Sequence, residues 1–136
     1  MLIVAWTTAC SDIYSRVIKE RKAADAQQVL RDFRAAEATF ASQAKKFGTL
    51  PELVQAGLMR TDLIDSLRAH YAFKITVAQT SYQVSAVPVH REDGKAYVDW
   101  SFFLDQSGVL RGRAFGKANG YTPAGKEDAP LMKEQQ

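Results

Sequence analysis

The chain contains a single cysteine, Cys10, so it cannot form an internal disulfide bond. Its two histidines, His70 and His90, have no neighbours at the spacing of a zinc site. The sequence also lacks a glycine-rich phosphate loop and the Gly-x-Ser-x-Gly turn of serine hydrolases. We therefore predict no catalytic residues, no metal and no cofactor, and we expect that the protein is not an enzyme.

A membrane-spanning run is missing as well. The apolar stretch at residues 1–9 (MLIVAWTTA) is far shorter than the roughly 20 residues that a spanning helix needs. We interpret it either as the end of a longer hydrophobic helix or as part of a signal peptide. Thr-Thr-Ala-Cys-Ser weakly resembles a bacterial lipoprotein processing site, which makes Cys10 a candidate for lipidation. The alternative is an ordinary thiol in an apolar segment.

Basic residues exceed acidic ones only slightly, so the net charge is +3. The apolar fraction of 46% is ordinary for one globular domain. Four basic residues lie close together, namely Arg16, Lys19, Arg21 and Lys22. No aromatic residues alternate with them, which argues against nucleic acid as a partner. A solvated helix face or contact with anionic lipid head groups fits the pattern better.

Residues 12–47 contain neither glycine nor proline. Apolar side chains recur there at spacings of three or four, or multiples of these, at Ile13, Val17, Val29, Phe33, Ala36, Phe40, Ala44 and Phe47. The pattern predicts one helix over 12–47 with a single apolar face, about 54 Å long. A small domain does not need so long a helix for its own core. We therefore expect part of it to serve another chain.

The next segments change character twice. Thr49 followed by Glu52 is a capping box, and with Pro51 it predicts short helices over residues 50–67. From Tyr71 the apolar period becomes two, which predicts strands joined by tight turns over residues 71–114. The sheet is expected to be a four-stranded antiparallel meander with one apolar face.

That apolar face requires a cover, and the second half of the long helix is the available one. The predicted fold class is α+β, a long N-terminal helix packed on a four-stranded antiparallel sheet. The domain spans residues 12–116, between an apolar segment at 1–11 and a flexible polar tail at 117–136. The residues predicted to form the helix–sheet packing are Val29, Leu30, Phe33, Phe40, Phe47, Trp100 and Phe102.

The order of these segments resembles the bacterial type IV pilins and type II secretion pseudopilins. The resemblance covers residues 16–111 and is carried by FGTLPELVQAGL at 47–58 and FFLDQSGVLR at 102–111. It implies a pilin-like fold and a non-enzymatic structural subunit of a pilus or pseudopilus filament in the bacterial cell envelope. The implied partners are other copies of the chain, or related pilins, through the N-terminal helix, together with contact to a membrane.

The resemblance has one gap. Family members carry a long apolar first half of the helix with a glutamate near the mature N-terminus, whereas residues 1–9 are half that length and contain no carboxylate. No assembly residue is therefore assigned from the resemblance. A second hypothesis remains open, in which the domain is an envelope-anchored adaptor or binding module lipidated at Cys10.

Overall fold

The computed structural model describes residues 2–89, 100–116, 120 and 122–131, with side chains from residue 13 onward except 14 and 15. Three helices precede four strands in the described part of the chain. The elements are α1 (Leu2–Ala44), α2 (Leu50–Gln55), α3 (Asp62–Ser66), β1 (Tyr71–Val77), β2 (Tyr82–Pro88), β3 (Trp100–Asp105) and β4 (Leu110–Ala114). The strands pair antiparallel in the order β1-β2-β3-β4. The α+β prediction with a four-stranded meander is confirmed.

Helix α1 differs from the prediction at both ends. It begins at Leu2 rather than residue 12, so the apolar N-terminal segment continues into the helix without a break. It ends at Ala44 rather than residue 47, because Lys45 has a left-handed φ of 63° while its N–H donates to the Ala41 carbonyl at 3.0 Å. A helix that ended at residue 47, as predicted, would place Gly48 at this turn, and glycine adopts a positive φ with less strain than lysine does.

The core lies between α1 and one face of the sheet. The strand register places apolar residues opposite each other across three ladders, for example Phe73 opposite Ala86 and Val84 opposite Leu104. The α1 residues fully buried against this face are Ala26, Val29, Leu30, Phe33 and Ala36. Burying each large apolar side chain contributes about 1.5–3 kcal/mol.

The predicted packing residues do not share one environment. Val29, Leu30, Phe33 and Phe102 are buried, whereas Phe40 and Phe47 are half-buried against the edge of the same core. Trp100 is instead 44% exposed. It opens β3 opposite the exposed Ala114 at the end of the sheet, where the neighbouring helix residue is the small Ala23. Residues 97–99, predicted to begin this strand, lie outside the described residues.

Part of the segment predicted to be a flexible tail, residues 122–131, packs on the sheet. It contacts Ser101 on the second face and follows the edge of β4 to the core side, where Leu131 packs against the hydrophobic core. The Ala124 N–H donates to Ser101 Oγ at 2.9 Å, and the Leu131 N–H donates to the Leu110 carbonyl at 2.9 Å. The Asp128 carboxylate accepts from Arg113 Nε at 2.8 Å. The polar composition indicated solvation, but these groups satisfy one another on the sheet.

A buried carboxylate connects α1 to α2. Glu37 is fully buried and accepts a hydrogen bond from the Gly48 N–H at 2.9 Å. Thr49 follows at once and forms the predicted capping box, since its Oγ1 accepts from the Glu52 N–H and its own N–H donates to Glu52 Oε1. Pro51 lies in the first turn, as predicted. Glu37 therefore fixes the point from which α2 starts.

We predict that Gly48→Ala destabilises the fold. A Cβ at this position would lie 2.9 Å from the Phe40 ring and 3.2 Å from Leu53. Overpacking of this kind costs about 1–3 kcal/mol, which urea denaturation can measure. Gly116→Ala is the matched control, because its added methyl meets no atom within 4 Å. Equal stability of the two variants would contradict the close approach at Gly48.

We also predict a pH dependence for Glu37→Gln. Burial raises the pKa of Glu37 above its usual value, against the opposing effect of the Gly48 hydrogen bond. The folded state therefore binds the proton more tightly than the unfolded state does. The resulting contribution to folding stability is complete below the unfolded-state pKa and is lost as pH rises through the raised pKa of the folded state. The free energy of unfolding of Glu37→Gln minus that of the unmodified chain should therefore increase as pH rises from 4 to 7.

Glu52→Gln provides the control of opposite sign. Hydrogen bonds from Thr49 lower the pKa of Glu52, so its contribution is present at neutral pH and disappears as pH falls through the lowered pKa. This variant should lose stability relative to the unmodified chain as pH rises. Parallel pH profiles for the two variants would overturn the assignment of Glu37 as a carboxyl whose pKa is raised by burial.

Candidate assembly surface

The first half of α1 carries apolar side chains that the core does not use. Among the described side chains, the α1 residues that join the hydrophobic core begin at Ala23. Further towards the N-terminus, Ile13 is 60% exposed and Val17 is 52% exposed. They lie one helical turn apart, about 6 Å along the axis. We call these two residues the apolar knob.

The knob points away from the face that packs on the sheet. The sequence analysis placed Ile13 and Val17 on one face with Phe33, because all spacings were three, four or multiples of them. Twelve residues separate Val17 from Val29, however, and at about 100° per residue they turn the helix by a third of a revolution beyond whole turns. Ile13 and Phe33 differ by roughly 200° in the same way. The single apolar face is therefore wrong for the first half of α1.

Charged residues flank the knob on both sides. Arg16 and Arg21 are exposed, and Glu20 is exposed between them. Lys19 and Lys22, the other members of the predicted basic cluster, are partly buried along the helix. Among the described exposed residues beside the knob, two are basic and one is acidic, which leaves one net positive charge.

An open groove lies on the other half of the helix, between α1 and the segment that joins α2 to α3. Its volume is about 530 Å³. Met59 is buried and Leu58 and Leu63 are half-buried, so these three form its inner wall, with Ala35 on the α1 side. The exposed residues Asp32, Arg60 and Asp62 lie at its rim. We call this the α1–α3 groove.

The local sequence explains how the α1–α3 groove is built. Helix α2 ends at Gln55, and Gly57 adopts a left-handed φ of 74° that turns the chain back beneath α1. The Leu58 N–H then donates to the Leu53 carbonyl at 3.0 Å, which fixes the segment to the end of α2. A Cβ at Gly57 would meet nothing within 4 Å, so this wall faces open space.

A smaller region surrounds Trp100. Two cavities of about 190 and 210 Å³ lie on either side of it, between α1 and β3, and both are lined by Ala23 and Trp100. Phe102 and Leu131 line the apolar one, while Arg16 and Lys19 line the other. Trp100 thus lies on the surface of the helix–sheet junction.

The remaining sequence-predicted positions do not converge on a site. The backbone of Cys10 lies within α1, but its side chain is outside the described residues, as is His90. His70, half-buried before β1, has a pKa lowered by burial and, secondarily, by the charge of Lys22. Asp105 accepts from the Ser107 N–H at 3.0 Å and forms the predicted turn with Gly108, which has a φ of 77°.

The described residues contain neither a group of metal ligands nor a membrane-spanning helix. No three histidine, cysteine, aspartate or glutamate side chains in that part of the chain are grouped so that they could hold a metal ion. No helix within the same residues has an apolar stretch long enough to cross a membrane.

The chain was compared with known protein families, with curated proteins and with solved structures. No family model, no curated protein and no solved structure gives a significant match.

Sequence reasoning missed the α1–α3 groove. Its residues come from two segments, around Ala35 and around Met59, that only the tertiary fold brings together. The apolar spacing over residues 50–58 predicts one buried stripe of Leu50, Leu53, Val54 and Leu58, but Val54 is 40% exposed. The available signal was Gly57, whose place after a short helix marks a sharp turn that leaves the next apolar residues beside α1.

We predict that replacing both knob residues by serine, Ile13→Ser with Val17→Ser, leaves the fold of a single copy intact. Both side chains are more than half exposed, so their loss removes little buried surface. The free energy of unfolding should change by no more than about 0.5 kcal/mol, as measured by urea denaturation. A loss of stability as large as that of Phe33→Ala, which removes a fully buried ring from the core, would show that the knob is packed within the molecule.

Proposed function

We propose that this chain is a non-enzymatic structural subunit of a bacterial cell-envelope filament of the type IV pilus or type II secretion pseudopilus class. Its partners are other copies of itself or related subunits, bound through α1. The apolar knob on the part of α1 that precedes the core is the observation that carries this proposal.

The architecture supports this role. Helix α1 has 43 residues and is about 64 Å long, yet its contribution to the described core begins only at Ala23. A helix that extends this far beyond its own core leaves a long surface for neighbouring chains. The second half of the helix lies on a four-stranded antiparallel meander, which is the arrangement that the resemblance to pilins implies.

The exposed apolar residues give a physical reason for assembly. Single exposed hydrophobic residues are common on soluble proteins, but two on adjacent turns of one projecting helix form a contact surface. Packing them against another copy removes apolar area from water, which is the main driving force for association.

We expect cells that produce the full chain to form filaments containing it, visible by electron microscopy with antibodies against the chain. The Ile13→Ser and Val17→Ser double variant should lower filament number at least about tenfold, because a loss of 1.4 kcal/mol per contact already shifts association by that factor. The amount of the protein in the cell should be unchanged, since the variant keeps the fold.

The matched control is Lys74→Ser, an exposed residue of β1 on the second face of the sheet. It should leave filament number unchanged. If protein isolated from its native cells consisted only of monomeric particles, the proposed function would be wrong.

A further inference from the structure

The knob and the α1–α3 groove cannot meet within one molecule. Both belong to α1, with Val17 in the knob and Ala35 in the groove wall, and eighteen residues of continuous helix separate them. That distance is about 27 Å along the axis, and the helix has no proline or glycine at which it could bend back. A contact between the two surfaces therefore requires two copies.

The two surfaces match in apolar character. The knob offers two branched side chains one turn apart, each more than half exposed. The groove offers an inner wall of Leu58, Met59 and Leu63 in a volume of about 530 Å³, within the range of about 300–1,000 Å³ typical of binding pockets. Methionine adapts its shape to the side chains that it contacts, which suits a wall receiving branched residues.

Charge at the edges favours the same pairing. Arg16 and Arg21 lie on either side of the knob with Glu20 between them, and these three exposed residues carry one net positive charge. The groove rim carries the Asp32 carboxylate, which accepts from the neutral Gln28 amide at 2.7 Å. Asp62 pairs with Arg60 at 2.7 Å, which leaves the three rim residues with one net negative charge. The basic flanks of the knob would meet this acidic rim.

We infer that the knob of one copy seats in the α1–α3 groove of a second copy. This inference rests on the proposed function and specifies the contact by which it operates. The knob and the groove are different surfaces, so a pair of copies still has one free groove, on the first copy, and one free knob, on the second. Such a head-to-tail contact does not close on itself unless its rotation forms a ring, and it generates an open filament. Parallel copies would be displaced by about 27 Å along α1.

Disulfide cross-linking between two differently labelled copies tests the inference. The full chain is used with Cys10→Ser, so that the introduced cysteines are the only thiols. One preparation carries Val17→Cys and the other Ala35→Cys, and the two are mixed and oxidised. A disulfide requires Cα atoms within about 7 Å, so the mixed dimer should exceed either homodimer at least about tenfold. Lys74→Cys replaces Ala35→Cys in the control mixture and should give only background cross-linking.

Charge reversal gives an independent measurement. Arg16→Glu and Asp32→Arg should each weaken self-association, measured by analytical ultracentrifugation, at least about tenfold, because a displacement of 18 residues brings Arg16 of one parallel copy level with residue 34 of the next, beside Asp32. The double variant, with both charges exchanged, should recover most of the loss. Lys74→Glu makes the same change of charge as Arg16→Glu, away from both surfaces, and should leave association unchanged.

The outcomes separate the inference from the function on which it rests. Filaments with a preferred Val17–Val17 cross-link, or with no rescue by the double charge exchange, would overturn the knob-in-groove contact and leave the filament role standing. Absence of any association and of any filaments would overturn both. A Val17–Ala35 cross-link together with charge rescue would support both.

Discussion

Packing of one face of α1 on the apolar face of the sheet is the contact on which the rest of the molecule depends. Leu30 and Phe33 are fully buried there, against strand residues such as Val84 and Leu104 that are themselves fully buried. This contact joins Leu30 and Phe33 to strand residues that lie more than fifty positions later in the chain. Because the α1 residues concerned lie in its second half, the same packing leaves the first half of the helix available for other contacts.

Because the helix is stiff, its packing on the sheet also determines which of its residues lie at the surface. An α-helix satisfies its backbone hydrogen bonds internally and does not bend sharply without a specific cause such as proline. Ile13 and Val17 are therefore held away from the apolar groove next to Ala35, although both regions belong to one element. An apolar surface that the described part of its own chain leaves uncovered is available to a second chain, and the filament proposal rests on this availability.

The buried carboxylate of Glu37 connects the core to the groove. Its hydrogen bond to Gly48 fixes the start of α2, and the turn after α2 places Met59 beside α1. Burial alone is unfavourable for a carboxylate and raises its pKa. Tyr82 lies in the same environment, where burial and then the charge of Glu37 raise its pKa to about 12. The geometry of the groove thus depends on a polar contact inside an otherwise apolar core.

Several elements follow from local sequence alone. The capping box at Thr49, the turn at Gly108 and the alternation of β1 each depend on residues that are neighbours along the chain, so their patterns predict them. The α+β class follows from the change of apolar period from helical to alternating after His70. Local sequence left the start of the long helix open, because Ser11 and Asp12 can either cap a helix or lie within one that continues from residue 2, and the helix runs through them.

The sequence by itself determined the kinds of elements and most of their order, because propensity, capping and periodicity act over a few residues. The tertiary structure alone decided the exposure of Trp100, the packing of residues 122–131 and the existence of the groove. The different faces of Ile13 and Phe33 follow from counting residues along one helix, although the spacing rule overlooked them. Small angular offsets add up along a helix, and grooves form between segments distant in sequence. Spacing rules therefore identify what is apolar, whereas only the packed fold shows which apolar surface is left for a partner.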